Sequence, residues 1–150
     1  MSARVNISKA HTDTYKALGK MSEAATKAAE AADISPQLCE LLKIRASQLN
    51  GCAYCIRVHT RAALKLGETT DRVSLLTNWR ETEYFTAVER ASLALTEAIT
   101  MISDRQVPDD IYVPVSQVLS EEQISAVSWL TVAINSYNRV NITSGYPVKP

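Results

Sequence analysis

This sequence predicts an all-α fold, one domain of six or seven helices over residues 1–150, and three observations carry the prediction. Apolar residues recur at helical spacing in successive segments, most of them opened by a capping residue or capping box. Glycine and proline are sparse, four and five in 150 residues, which leaves few breaks and disfavours disorder. Outside brief Val/Tyr/Pro segments, no run alternates apolar and polar residues as a half-buried strand would. A chain of this length can bury a core of its own.

Residues from about Thr12 to Ala32 are rich in Ala, Lys, Glu and Met, all good helix formers, with Gly19 a local weak point. Ser35-Pro36 supplies an N-cap and a proline at the first helical position. Leu38, Leu41, Leu42, Ile44 and Leu49 then keep a helical period as far as Gly51. A further helix spans about Cys52 to Leu66 and stops at Gly67. Thr69 or Thr70 caps a short helix through Leu75 and Leu76, and Trp79-Arg80-Glu81-Thr82 reads as a connecting loop. Thr86-Ala87-Val88-Glu89 is a capping box opening a helix to about Ile102. After the polar stretch Ser103 to Pro108, a shorter helix starts at Asp109 or Asp110, its regularity limited by Pro114. Ser120-Glu121-Glu122-Gln123 is a second capping box, leading into Ile124 to Val140. That last helix is apolar nearly all round, so more than one face needs cover, and another subunit is the simplest cover beyond the domain's own core.

Sixteen Lys and Arg balance sixteen Asp and Glu. No basic stripe points to nucleic acid, and no cationic amphipathic segment or spanning-length apolar run points to a membrane. The opening residues Met1-Ser2-Ala3-Arg4-Val5-Asn6 lack the apolar core of a signal peptide, so a cytoplasmic protein is expected. Without such a signal, the sequons Asn6-Ile7-Ser8 and Asn141-Ile142-Thr143 are taken as chance.

Chemistry concentrates at Cys52-Ala53-Tyr54-Cys55-Ile56-Arg57-Val58-His59. Spacings of three and four put two thiols and an imidazole on one helix face. Gly51 precedes the first thiol, where a helix would begin, and a helix N-terminus stabilises a thiolate. Four readings compete for this face. The thiols could be inert core residues. They could bind zinc with His59, taking Cys39 or Glu40 as a fourth ligand, although one CxxC with a single further histidine, His11, is a poor zinc set. Thioredoxin-like chemistry needs βαβ units, which this helical chain lacks. Dithiol redox catalysis on an all-α scaffold fits best. Haem attachment is excluded, because it needs histidine directly after the second cysteine, where Ile56 stands. The helix start nominates Cys52 as the more acidic thiol, whereas His59 lies one turn from Cys55 and two from Cys52.

Glu40, eleven intervening residues and then Cys52-x-x-Cys55-x-x-x-His59 resemble the core motif of the AhpD-like alkylhydroperoxidases of the carboxymuconolactone decarboxylase superfamily. The flanks Leu41-Leu42-Lys43-Ile44-Arg45-Ala46-Ser47, His59-Thr60-Arg61-Ala62-Ala63, Trp79-Arg80-Glu81, Phe85-Thr86-Ala87-Val88-Glu89-Arg90-Ala91 and Asn138-Arg139-Val140-Asn141 resemble its single-domain members, so the likeness covers most of residues 15 to 148. It implies an all-helical domain assembling into dimers, trimers or hexamers. The implied activity is a peroxidase reaction in which Glu40 draws a proton through His59 from Cys55, the peroxide-attacking thiol. Cys52 then resolves the Cys55 sulfenic acid as a Cys52–Cys55 disulfide. Glu40, by itself an ordinary helical surface charge, gains a role from this spacing, and a turn at Gly51 would fold it back towards the thiols. Tyr54 stands where some members have histidine, which removes a possible acid–base group and leaves an aromatic beside the access route.

The resemblance further implies a hydroperoxide substrate and a dithiol electron donor, a lipoyl or thioredoxin-like protein. No flavin, haem or nicotinamide cofactor and no metal is expected; no Gly-rich dinucleotide motif is present. The alternative enzyme is a lactone decarboxylase of the same superfamily, which has no use for a redox pair. The non-enzymatic alternative is a redox-sensing or zinc-binding helical oligomer. His11 is expected to be exposed, Cys39 to be a packed spectator, and Trp79 and Trp129 to be packing residues.

Overall fold

The computed structural model describes residues 3–150; Met1 and Ser2, the start of the stretch read above for a signal peptide, lie outside it. Among the described residues there are nine α-helices, one 3-10 helix and no strand. They are α1 (Ile7–Ala10), α2 (Thr12–Ala31), α3 (Pro36–Asn50), α4 (Ala53–Lys65), α5 (Thr70–Leu75), the 3-10 helix (Leu76–Glu81), α6 (Ala87–Thr100), α7 (Ile102–Arg105), α8 (Asp109–Ser116) and α9 (Glu121–Ser144). The all-α expectation holds. The helix count exceeds six or seven because α1 and α7 are four-residue turns, too short to show an apolar period.

The capping signals act as written. Ser35 Oγ accepts from the Leu38 N–H, with Pro36 opening α3. Thr86 with Glu89, and Ser120 with Gln123, form complete reciprocal capping boxes. Helix α9 runs past the expected Val140 to Ser144, until Gly145 turns left-handed. The segment expected as a loop at Trp79–Thr82 is instead largely the 3-10 helix. Its physical reason is Trp79, which is buried, with its Nε1–H donating to Glu97 and its ring flanked by the Arg80 and Arg90 guanidinium groups.

Helix α9 is the hub, packing against α2, α3 and α6 and also touching α1, α4 and α8. This accounts for most of its apolar circumference. Its inner face is nonetheless not wholly apolar. Thr131 meets Thr96, Asn135 donates to Thr100, and Asn138 donates to Ser47, while the Asn50 amide of α3 donates to both Asn135 and Asn138. A buried polar group left without a partner is costly, so this seam fixes how α3 and α6 sit on α9. Trp79 is a packing residue as expected, but Trp129 is half exposed on the outer face of α9, with Val132 beside it in exposure.

Glu97 ties α3, the 3-10 helix and α6 together. It accepts from Arg45 Nε at 2.7 Å and Trp79 Nε1 at 2.9 Å, and also from Arg80. Burial pushes its carboxyl up, but the hydrogen bonds from Trp79, Arg45 and Arg80 outweigh this and hold it below the ordinary carboxylate value. Glu97→Ala strands the largely buried Arg45 and the indole N–H, and is expected to cost about 2–3 kcal/mol. A urea midpoint shift at unchanged slope is the measurement, with Glu97→Gln, which keeps a carbonyl acceptor, losing less.

Candidate active site

The corner between α3 and α4 builds the site. Gly51 ends α3 with φ +71°, a conformation that side chains with a Cβ rarely adopt, and so reverses the chain within one residue. Cys52 is therefore the N-cap of α4 rather than its first residue, and its Sγ accepts the Cys55 N–H at 3.4 Å. Cys52 and Cys55 are joined as a disulfide, their Cα atoms 5.4 Å apart. Both are 2 % exposed and pack with Ala46 and Ile134, Tyr54 and Tyr137 lying against them.

The same reversal returns α3 alongside α4 and brings Glu40 to His59. The Glu40 Oε2 accepts from His59 Nδ1 at 2.7 Å, and its Oε1 accepts from Lys43 Nζ at 2.7 Å. An ionised carboxylate has no proton to give, so Nδ1 carries the hydrogen and Nε2 is left for other chemistry. Burial raises the Glu40 carboxyl, yet the His59 and Lys43 hydrogen bonds and charges overcome it and keep the group below the ordinary carboxylate value. Its ionised form thus stabilises the fold. That contribution is complete above the unfolded carboxylate value, near pH ~4.3, and is lost as pH falls through the lower folded value. The stability gap between the wild type and Glu40→Gln should accordingly be wide at neutral pH and close below about pH 4, as read by urea midpoints across that range.

A cavity of about 340 Å³ opens onto the site, with Cys55, His59, Lys43 and Asn141 among its polar walls. Tyr15, Tyr54 and Tyr137 supply aromatic walls, and Val58, Leu130 and Ile134 aliphatic ones. Cys55 lines this cavity and Cys52 does not. The geometry therefore joins Glu40 to His59, joins Cys52 to Cys55, and gives Cys55 and His59 one shared space. Tyr54 borders it as expected, and its ring meets Tyr146 edge-on at 5.2 Å. Tyr146 in turn is hydrogen-bonded to Ser8, and Arg57 of α4 donates to the Lys149 carbonyl, so the C-terminal segment straps the cysteine helix.

Two residues here escaped the sequence reading. Lys43 belongs to the flank of the motif, and its place one turn from Glu40 is the signal that could reveal it. Asn141 falls in a sequon and a flank, yet its Nδ2 donates to Cys55 Sγ at 3.2 Å, 86 positions away in the chain. No local spacing announces such a contact. Cys39 is the free thiol, buried in the main core away from the pair, and burial pushes it up to about 11. Cys39 therefore stands apart from Cys52, Cys55 and His59, and although Glu40, the other candidate fourth zinc ligand, does meet His59, among the described residues no three His, Cys, Asp or Glu converge as a metal site. His11 is exposed, and no helix among the described residues is long and apolar enough to cross a membrane.

Fold and site together define a helical protein with an AhpD-like architecture and a CxxC disulfide at a helix start. The chain belongs to the carboxymuconolactone decarboxylase family, whose sequence profile matches residues 12–98 and so takes in Glu40, both cysteines and His59. It is 44% identical over 106 residues to the uncharacterised protein YdfG of Bacillus subtilis (strain 168), covering 71% of this chain and 72% of that one. The crystal structure of ATU0492 from Agrobacterium tumefaciens superposes with a TM-score of 0.85 at 29% identity, over 99% of this chain and all of the other. That protein, of unknown function, has been put forward as an AhpD antioxidant defence protein. The apo debrominase Bmp8 shares the fold alone, with a TM-score of 0.77 at 17% identity over 94% of this chain and 74% of its own.

Proposed function

We propose that the protein is a thiol-dependent peroxidase that reduces alkyl hydroperoxides through a Cys52/Cys55 dithiol–disulfide cycle. The observation carrying this reading is the joined CxxC pair whose second sulfur shares a cavity with a histidine held by a buried carboxylate. Cys55 is the peroxidatic thiol, Cys52 the resolving thiol, His59 the proton carrier, and Glu40 the group that fixes the His59 tautomer. A lactone decarboxylation would leave the disulfide without a task.

In the reduced state, His59 Nε2 takes the Cys55 proton, through water. The thiolate attacks the hydrogen-bearing oxygen of the hydroperoxide; an S–O bond forms, the O–O bond breaks, and the alkoxide takes the proton back from His59 to leave as an alcohol. Cys55 is then a sulfenic acid, and attack by Cys52 releases water and closes the disulfide. A dithiol donor, of lipoyl or thioredoxin-like type, returns two electrons by thiol–disulfide exchange. The tyrosine and aliphatic walls suit an organic substituent on the peroxide. Assembly with copies of itself, through the face bearing Trp129 and Val132, belongs to the same reading and is checked by native mass.

The test uses intact mass of pre-reduced protein before and after a small excess of cumene hydroperoxide. Loss of two hydrogens, mapped to Cys52–Cys55, with one alcohol formed per disulfide, is the expected result. A protein that stays reduced overturns the reading.

A further inference from the structure

Asn141 lines the cavity and has no part in the scheme above. It is 6% exposed, its Nδ2 donates to Cys55 Sγ at 3.2 Å, and its Oδ1 is buried with no partner. A disulfide sulfur has no hydrogen to offer, so the N–H side of the amide is the side that faces it, and the carbonyl side is left over. A buried carbonyl oxygen without a donor costs stability, so the amide keeps its N–H on the sulfur at the expense of its other side.

We infer that Asn141 is a catalytic residue whose N–H holds the Cys55 sulfur and stabilises it as the thiolate. This rests on the peroxidase reading. The N–H···S bond strengthens when the sulfur becomes anionic, which favours Cys55 as the attacking thiolate and as the departing sulfur when a donor thiolate attacks Cys52.

The experiment compares N141A and N141D with the parent in reduced protein carrying Cys52→Ser, folding being checked by circular dichroism and melting. Three quantities are read: the Cys55 thiolate titration by ultraviolet absorbance, single-turnover oxidation by cumene hydroperoxide, and alkylation by iodoacetamide with the thiol fully ionised. The other groups around Cys55 are His59, Tyr54, Lys43, Tyr15 and Tyr137, with Glu40 behind His59, and all are unchanged in the variants. N141A is expected to raise the thiolate titration and so to slow peroxide oxidation at neutral pH about 10- to 100-fold, while alkylation of the fully ionised thiol keeps its rate. N141D is expected to raise the thiolate titration further than N141A, because it sets a carboxylate against the sulfur; loss of packing alone would not give that order. Equal slowing of both reactions, or undiminished peroxide oxidation in either folded variant, overturns the inference. A parent protein that no hydroperoxide oxidises sinks the peroxidase reading itself.

Discussion

Cys55→Ser is expected to abolish peroxide turnover, with a loss of at least about 1,000-fold, because a neutral hydroxyl replaces the only thiol that lines the cavity. Cys52→Ser should behave differently. Its first turnover should proceed, since Cys55 and the cavity are intact, and then stop with Cys55 held as a sulfenic acid. Excess peroxide should carry it on to the sulfinic acid. Stopped-flow oxidation followed by intact mass separates the two. If Cys52→Ser, rather than Cys55→Ser, eliminates the first turnover, the assignment of the two thiols reverses. The competing physical argument, that the helix start favours Cys52, has a real basis, because the Cys55 N–H points at Cys52 Sγ. That interaction is consumed in capping α4, and Cys52 is walled off from the cavity, so its reactivity belongs to the disulfide steps.

Glu40→Gln and His59→Ala are the second pair of large effects. On the proposed scheme His59→Ala removes the proton carrier and should slow peroxide reduction about 100- to 1,000-fold, within the span of general acid–base catalysis. Glu40→Gln leaves the imidazole in place but removes the charge that fixes its tautomer, so its loss should be smaller and should appear as an altered pH–rate profile. It also frees the ammonium group of Lys43, which now answers to Glu40 at 2.7 Å. A Glu40→Gln protein that folds and keeps wild-type kinetics across pH would remove Glu40 from the relay. Both variants are best compared by kcat/KM for cumene hydroperoxide, which reads the free enzyme's groups.

Much of the α3–α4 corner was legible because its determinants are local. Gly51 marks the reversal, and the spacing of Cys52, Cys55 and His59 places them on one face whatever surrounds them. Glu40 became legible only through the motif, since a lone helical glutamate reads as solvated. What stayed hidden was whatever depends on a second helix. Asn138 sits in the run Ile124 to Val140, which reads as apolar nearly all round, and Asn141 lies just beyond it; only packing shows that Asn138 joins a polar seam and that Asn141 meets Cys55. The 3-10 helix at Leu76–Glu81 was missed for a related reason, because the burial of Trp79 against Glu97 comes from tertiary contact and not from the short segment's own propensity.

The strap over the cysteine helix involves both extremities of the described chain. Arg4 donates to the Ile142 carbonyl, the Ile7 N–H donates to Ser144, and Ser8 meets Tyr146. The two extremities are thus neighbours, clasped beside the redox pair. A short flexible bridge across them, with new ends opened in the exposed turn around Glu83 and Tyr84, would rearrange the order of the polypeptide while leaving every helix contact intact. In that circular permutant a covalent bridge would hold the clasp beside Cys52 and Cys55 closed.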